Sequence, residues 1–364
     1  MPGVVRRDSS CKISHGVEFA IAVPSSYVSV VSTLVDRTRL VSSLARACGI
    51  FRVDEVVIID DSLDGDNNKP SSAREEVVKK ENNDVGGASS STSELMHRLL
   101  TYLDTPQYLR RRLIPHHADL AYAGKMPTLD APHQLRKTDR ATYREGAVVA
   151  HTPQGAMVDV GLDEPVHVHT NKAPDVNERV TVHMDDAKQK YAIVSRDTPR
   201  EQLGTYWGYR VRRCRGLSEC LYKDNNEKRR YDWVIGTSEH GKAYAPVDDI
   251  TPPRAALKRR AKDKKTRVVL LFGGVRGLEA LYMLDQARCG PLLPSSAERK
   301  GDGAEAAHLC DDYLNFCPRQ GSRTIRTEEA ILIGLALLRD PVANALSSSS
   351  SSSEARTSKK RKHV

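Results

Sequence analysis

Two kinds of hydrophobic pattern divide the chain. Short, nearly continuous apolar runs lie at residues 18–23 and 55–59, and the second closes in Asp60 and Asp61. Continuous apolarity predicts strands covered on both faces, as in a parallel sheet. Between these runs, small and apolar side chains recur at three- and four-residue spacing up to Cys48, which predicts a helix. Strand, helix and strand in this order are typical of an α/β domain.

The middle of the chain, residues 115–200, has short apolar runs separated by turn residues, which predicts a small antiparallel barrel. The segment REGAVVAHTPQGAMVDVGL resembles the opening hairpin of an S1-like OB domain. Such barrels bind single-stranded nucleic acid on one open face. His151, His167 and His169 are the candidates for RNA contact, and a spacer barrel that touches no RNA is the alternative.

Buried-strand patterns return after the barrel, at residues 205–213, 232–236, 268–272 and 313–316, before a last helix at 327–338. The simplest organisation is an α/β domain split by an inserted domain. The expected segments are a basic arm at 1–15, the first α/β part at 16–112 with a polar, disordered insertion at 62–93, the barrel at 113–203, the second α/β part at 204–341, and a disordered serine-rich basic tail at 342–364.

Charge adds an anionic partner to this picture. The 364 residues include 56 Lys and Arg against 47 Asp and Glu, a formal net charge of +9, which favours nucleic acid. No apolar run approaches the roughly 18 residues that cross a bilayer, so no membrane partner is expected. The seven cysteines form no CxxC pair, so no metal site is expected either.

Three glycine-bearing loops follow predicted strands, at residues 236–241, 272–277 and 320–326. Ligands of open α/β sheets lie beyond the carboxyl ends of the strands, and glycine lets backbone groups approach a ligand closely. The dinucleotide fingerprint G-x-G-x-x-G fails because its first glycine falls on Phe272, and no P-loop is present. A nucleotide-dependent oxidoreductase is therefore disfavoured.

A resemblance to a known family sharpens this prediction. The run CPRQGSRTIRTEEAILI resembles the C-terminal signature of a SPOUT family of RNA methyltransferases, the eukaryotic and archaeal branch with a barrel inserted in the methyltransferase domain. ARACGIFRVDEVVIID, TPQYLRRRLIPHH, YWGYRVR, IGTSEHG and LLFGGVRGLEALY extend the resemblance over most of the chain. It implies an α/β trefoil knot threaded by the last helix, a homodimer, and S-adenosyl-L-methionine as cofactor.

The resemblance also implies the site residues. The residues expected to bind the cofactor are Gly236, Thr237, Ser238, Phe272, Gly273, Gly274, Gly277, Ser322, Thr324, Ile325 and Thr327. Thr327 could instead cap the last helix. Those expected to take part in catalysis, as cations near the acceptor or as a base, are Arg37, Arg46, Glu239 and Arg326, with Arg323 beside them.

The family points to methylation of ribosomal RNA, with uridine N3 as a reasonable target atom. A catalytically silent ribosome-assembly factor that keeps the fold is the main alternative. The basic segment at 254–267 is expected to add phosphate contacts or to be a solvated loop. Lys359 to Lys362 in the tail predict a nuclear, and specifically nucleolar, protein, with a mitochondrial location as the alternative.

Overall fold

The computed structural model divides into two compact units. One comprises residues 101–208, and the other comprises residues 16–100 together with those from 209 onward. The basic arm, most of the polar insertion and the last four residues lie outside the described part of the chain. The residues that the structure describes are 16–62, 91–185, 187–223, 228–244, 250–260, 262, 265–289 and 305–360.

Strands and helices alternate in the larger unit, whereas the smaller unit is mostly strands. The described strands are β1 (Val17–Pro24), β2 (Glu55–Ile59), β3 (Tyr143–Thr152), β4 (Gly155–Asp159), β5 (Val166–His169), β6 (Arg179–Asp185), β7 (Lys190–Val194), β8 (Arg210–Cys214), β9 (Tyr222–Lys223), β10 (Lys228–Arg229), β11 (Trp233–Ala243), β12 (Thr266–Leu271) and β13 (Asp312–Asn315). The described α-helices are α1 (Leu34–Ile50), α2 (Thr92–Asp104), α3 (Gln107–Leu113), α4 (Thr198–Leu203), α5 (Leu217–Leu221), α6 (Arg254–Arg260), α7 (Gly277–Cys289) and α8 (Thr327–Lys360).

A six-stranded sheet forms the centre of the larger unit, in the order β13-β11-β12-β1-β2-β8. Every neighbouring pair in it is parallel, so the expected parallel α/β sheet is confirmed. The continuous apolar strands explain this arrangement, because each side of the sheet is covered. Ala20 and Ala22 of β1 share one buried cluster with Leu278 and Leu281 of α7. Phe19 of β1 is covered by Arg339 of α8, and α8 also packs against α1.

The last helix differs from its prediction in two ways. It continues to Lys360 instead of ending near residue 338, and Val342 is buried although the disordered tail was expected to begin there. The spacing of its buried residues, Ile331, Leu335, Leu338, Val342 and Leu346, follows one face of a helix. Leu332 on the other side is 42% exposed. The helix is therefore buried along one face and not on every side.

The smaller unit contains a five-stranded antiparallel sheet in the order β5-β4-β3-β6-β7. Its end strands β5 and β7 approach each other, so the sheet is nearly closed. Alternate positions along β3, β4 and β6 place valines in one shared core. Gly146 of β3 is needed for this packing, since a Cβ there would lie 2.6 Å from Cγ1 of Val158.

Charged side chains are also buried inside the smaller unit. Asp104 and Glu145 are 2% and 1% exposed, and the Arg179 guanidinium contacts both, with its Nη1 2.8 Å from Asp104 Oδ2. Burial alone would raise the pKa of Asp104, but Arg179 and Arg196 hold that pKa well below its ordinary value. The unit is wider than the barrel expected at 113–203 because Asp104 and Trp207, which donates to Glu145, are part of this network.

Candidate active site at the carboxyl edge of the parallel sheet

The three glycine-bearing loops extend from three strands that lie next to one another, β12, β11 and β13. The first loop is an outward bulge within β11. Thr237 and Lys242 both pair with Leu314, so residues 238–241 project from the ladder. The second loop follows β12, and the third follows β13 and ends at α8. The prediction that these loops share one edge of the sheet therefore agrees with the strand order.

Hydrogen bonds tie these loops to one another. The Thr237 hydroxyl donates to the Leu271 carbonyl (3.0 Å), which joins the first loop to the end of β12. The Thr327 hydroxyl donates to the Gly273 carbonyl (3.1 Å), which joins the third loop to the second. Asn315 Nδ2 donates to the Glu239 carbonyl (2.8 Å). Backbone segments from three distant parts of the sequence thus form one connected surface.

Two of the predicted cofactor glycines have a packing role. A Cβ on Gly236 would lie 2.6 Å from Cys310 Sγ, and one on Gly273 would lie 2.6 Å from the Gly277 carbonyl carbon. Gly277 has φ +75°, a left-handed conformation that glycine adopts without strain. Phe272, also predicted to contact the cofactor, is 1% exposed and supports the loop from the core. These residues shape the site mainly through the backbone they allow.

The third loop presents Ser322, Thr324 and Ile325, of which the first two are exposed and Ile325 is half-buried. The Ser322 hydroxyl donates to the Thr324 carbonyl (2.9 Å), which fixes the loop locally. α8 begins at Thr327 itself, and the Thr327 hydroxyl donates to the Gly273 carbonyl. At the helix start, the Glu329 carboxylate accepts from the Arg326 backbone N–H (2.9 Å), which satisfies one of the free donors there.

Ser238, the remaining predicted cofactor residue, accepts from the His240 backbone N–H (3.2 Å) within the first loop. The predicted base Glu239 is exposed, with Oε1 3.7 Å from His240 Nε2. Arg326 and Arg323 are exposed on the third loop.

The predicted cations of α1 are less closely tied to these loops. Arg37 Nε donates to the Val31 carbonyl (3.2 Å), and Arg46 is half-buried. No hydrogen bond between described residues joins Arg37 to the three loops.

A half-buried tyrosine, Tyr313, packs beside Gly236 at the start of the first loop. Tyr313 of β13 donates to Glu279 Oε1 (2.6 Å). Burial, with that hydrogen bond, raises the pKa of Tyr313, so its hydroxyl stays protonated. Burial likewise raises the pKa of the neighbouring Cys310 thiol to about 12, which argues against a thiolate nucleophile. Across the described residues, no group of His, Cys, Asp and Glu side chains could hold a metal ion.

A cavity of about 490 Å³ opens beside the second loop. Its lining includes Ser26 after β1, Asp61 after β2, and Gly274 and Arg276 of the loop. Asp61 accepts from the Ser25 hydroxyl (2.9 Å) and from the Ser26 backbone N–H (2.7 Å). The sequence analysis missed Ser26 and Asp61 as site residues. The one available signal was a carboxylate placed at the carboxyl end of a buried strand.

The fold and the three loops together define a class, an α/β protein with a candidate ligand site at the carboxyl edge of a parallel sheet. Within that class, residues 18–338 match the family described as "Putative RNA methyltransferase". The match covers most of the chain, so this protein belongs to that RNA methyltransferase family. None of the helices in the described ranges is long and apolar enough to span a membrane.

Similar proteins come from animals and archaea. A 28S rRNA (uridine-N(3))-methyltransferase of Homo sapiens is 36% identical over 338 residues, which cover 90% of this chain and 79% of the human protein. The Mus musculus protein of the same name is 34% identical over 338 residues, covering 88% and 75%. A protein of Halobacterium salinarum is 28% identical over 331 residues, covering 88% of this chain and 98% of its own length.

Proposed function

We propose that this protein is an S-adenosylmethionine-dependent methyltransferase that methylates ribosomal RNA at N3 of a uridine. The observation that carries the proposal is the match of residues 18–338 to the RNA methyltransferase family, with three connected loops at the expected edge of the sheet. The target atom follows the names of the human and mouse relatives. The family membership supports an active enzyme over the silent assembly factor.

The three loops fit the cofactor. Backbone groups at residues 236–238, 272–277 and 322–327 are held together by side-chain hydrogen bonds and carry small residues where a larger one would collide. A bent nucleoside with amide-like edges can be recognised by such backbone groups. When bound, S-adenosylmethionine would supply the methyl group of its sulfonium sulfur, and in-line transfer of that methyl group would release S-adenosylhomocysteine.

Residues of this chain must then position the acceptor uridine and accept the proton that leaves its N3 atom. Uridine N3 carries a proton that has to leave before or as the N–C bond forms, and the resulting anion is stabilised by a cation. Arg323 and Arg326 are exposed cations on the loop that also holds the predicted cofactor residues. Glu239 stays the predicted base, and Arg37 and Arg46 stay predicted contributors from α1.

The family also suggests how the chain is organised. We propose that the last helix is threaded as a trefoil knot and that two copies pair to complete each site. Two contacts support a close association of α8 with the second loop, the Thr327 bond to Gly273 and the packing of Gly334 beside the Phe272 ring. Exposed Leu332 on α8 supports a further partner for that helix.

The barrel is proposed as an RNA-binding surface. His167 and His169 lie side by side on β5, with ring centroids 4.5 Å apart, and His151 is exposed on β3. Such rings can stack on unpaired bases. A nucleolar location follows from the basic tail, whose last residues lie outside the described chain.

Isothermal titration tests the proposal most directly. The full-length protein should bind S-adenosylmethionine and S-adenosylhomocysteine but not NAD. Gly274→Asp should weaken S-adenosylhomocysteine binding at least about 100-fold, because an unpaired charge would enter a close-approach position. Gly124→Asp places the same carboxylate in the other unit and should leave the affinity unchanged. RNA binding without binding of either sulfur compound would instead favour the silent assembly factor.

A further inference from the structure

The cavity beside the second loop combines apolar walls with a few polar groups. Val30, Val275 and Met283 on its lining are 52%, 81% and 65% exposed, which is unusual for large apolar side chains. Asp61 and Arg276 supply an acceptor and a donor on the same lining. Flat apolar walls with a small number of placed polar groups are typical of sites for aromatic ligands.

The cavity borders the proposed cofactor loops only at the second loop, whose Gly274 and Gly277 also line it. Those loops follow β13, β11 and β12, whereas the cavity lies at the ends of β12, β1 and β2. Neighbouring strands are about 4.8 Å apart, so the two halves of the edge are adjacent and meet at the 272–277 loop. Two reactants that must touch during methyl transfer need this kind of side-by-side arrangement.

Asp61 is held in place by hydrogen bonds from neutral donors. Ser25 and Ser26 are its hydrogen-bond partners, and the Ser26 hydroxyl donates to Oδ2 (2.5 Å). In the described part of the chain this carboxylate forms no ion pair. The segment behind it is anchored by Arg288, whose Nη1 donates to the Asp60 carbonyl (2.9 Å). A fixed carboxylate with lone pairs free toward a cavity is a hydrogen-bond acceptor for a ligand N–H.

We propose that this cavity receives the base of the uridine to be methylated, with Asp61, in place of Glu239, accepting a hydrogen bond from its N3–H. The inference rests on the proposed function and names the substrate side of that same site. The imide edge of uracil presents acceptor, donor and acceptor in a row. Asp61 matches the central donor, and the Ser29 hydroxyl and the Arg276 guanidinium on the same lining match the flanking carbonyl oxygens.

The amino-acid end of the cofactor is the rival occupant, because a carboxylate also binds an ammonium group. The exposed apolar side chains favour a base over an amino acid, since they offer stacking area that an ammonium and a carboxylate do not use. The lining also contains none of the predicted cofactor residues of the first and third loops.

The test uses the full-length protein, two oligonucleotide probes and one matched pair of variants. Fluorescence anisotropy measures binding of the single-stranded RNAs U12 and C12 in the presence of S-adenosylhomocysteine. Asp61→Asn replaces a carboxylate by an amide of the same shape, and Asp60→Asn makes the same change one residue earlier, outside the cavity. Asp60 bonds to Ser62 and Ser93 instead. Calorimetry measures the S-adenosylhomocysteine affinity of each variant.

The wild type should prefer U12 over C12 about tenfold, since one bidentate base contact is worth about 1–3 kcal/mol, or about tenfold per 1.4 kcal/mol. Asp61→Asn should abolish that preference, because an amide can also donate to cytosine N3, and should leave S-adenosylhomocysteine affinity within about twofold. Asp60→Asn should keep both properties.

Each contrary outcome has its own meaning. If Asp61→Asn weakens S-adenosylhomocysteine and spares the U12 preference, the cavity holds the amino-acid end of the cofactor and the inference is wrong. Unchanged binding of all three probes would also overturn it. If the wild type does not bind S-adenosylhomocysteine at all, the proposed function is wrong.

Discussion

Two aspartates, Asp104 in the smaller unit and Asp61 in the larger one, have opposite surroundings. In the unit at 101–208, Asp104 and Glu145 are almost fully buried and are paired with arginines. In the parallel-sheet unit, Asp61 lies at a strand end with serines as its hydrogen-bond partners and faces a cavity. The first arrangement neutralises charge within the fold, whereas the second keeps it available to a ligand.

This contrast separates a structural role from a functional one. Removing a buried carboxylate that is paired with cations mainly damages the fold, because the buried cations lose the charge that compensates them. A carboxylate held by neutral donors can be replaced by an amide at a smaller cost, because the amide oxygen keeps part of those hydrogen bonds. Residue type alone would not distinguish the two roles, because Asp104 and Asp61 are both aspartates.

The largest expected effect comes from making one substitution in both places. Asp104→Asn should destabilise the smaller unit by about 3–5 kcal/mol, because it removes a buried negative charge that pairs with Arg179 and Arg196. Asp61→Asn should cost the larger unit about 1 kcal/mol, since the amide oxygen keeps part of the serine hydrogen bonding. Hydrogen exchange measured by mass spectrometry reports each unit separately, through peptides of β3 and β6 or of β1 and β12.

A control for that comparison lies in the smaller unit. Asp139 is exposed and accepts from the Arg136 backbone N–H. Asp139→Asn should change protection by no more than about 0.5 kcal/mol, as for ordinary surface positions. Equal losses at Asp104 and Asp61 would remove the distinction between the two kinds of carboxylate.

Acid should affect the stability of the two units differently, because the carboxyl pKa shifts named below are opposite in direction. Against the effect of burial, Arg179 and Arg196 lower the pKa of Asp104, and the same cations lower that of Glu145. A lowered carboxyl pKa gives stability that is present above the ordinary value, near 4, and is lost as pH falls through the folded value. In the larger unit, burial raises the pKa of Asp232, Asp285 and Asp312, so the folded state takes up these protons first.

Lowering the pH from 7 toward 3 should therefore reduce exchange protection in β3 and β6 earlier than in β1 and β12. The raised pKa values of the larger unit make protonation there favourable to folding, which offsets its losses at other carboxylates. Equal acid sensitivity in both sets of strands would show that the Asp104 network does not control the stability of the smaller unit. Glu145→Gln should change the pH at which β3 and β6 lose exchange protection, and should leave that pH unchanged for β1 and β12.

The sequence predicted the parts of the fold that depend on local pattern. Apolar runs indicated the parallel strands, and glycine positions indicated three loops at their carboxyl ends, which the strand order places side by side. The cavity was missed because Ser26, Asp61 and Arg276 come from three distant segments, and no local pattern connects them. The hydrogen bond between Thr327 and Gly273 could not be predicted for the same reason, since the two residues are 54 positions apart.

The end of the domain was also predicted too early. The tail was expected to begin at residue 342, but Val342 and Leu346 are buried on the same helical face as Leu338. The serine run begins only after Leu346. Tertiary packing, not the composition of the tail, decides where α8 stops contributing. Pro341 lies inside this helix and does not end it.

The smallest expected effect concerns the basic segment at 254–267, which was expected to contact phosphates or to be solvated. Arg259 has a structural role, since its Nε donates to the Lys265 carbonyl (2.7 Å) and lies 3.2 Å from Asp232 Oδ2. Arg254, Lys258 and Lys262 are exposed and are the candidates for RNA contact. Replacing these three by Gln should reduce the slope of log K against log salt by about 2, since each single-strand phosphate contact contributes about 0.7. Arg259→Gln should leave the slope unchanged and lower stability, and an unaltered slope in the triple variant would make the segment a solvated surface with no part in RNA binding.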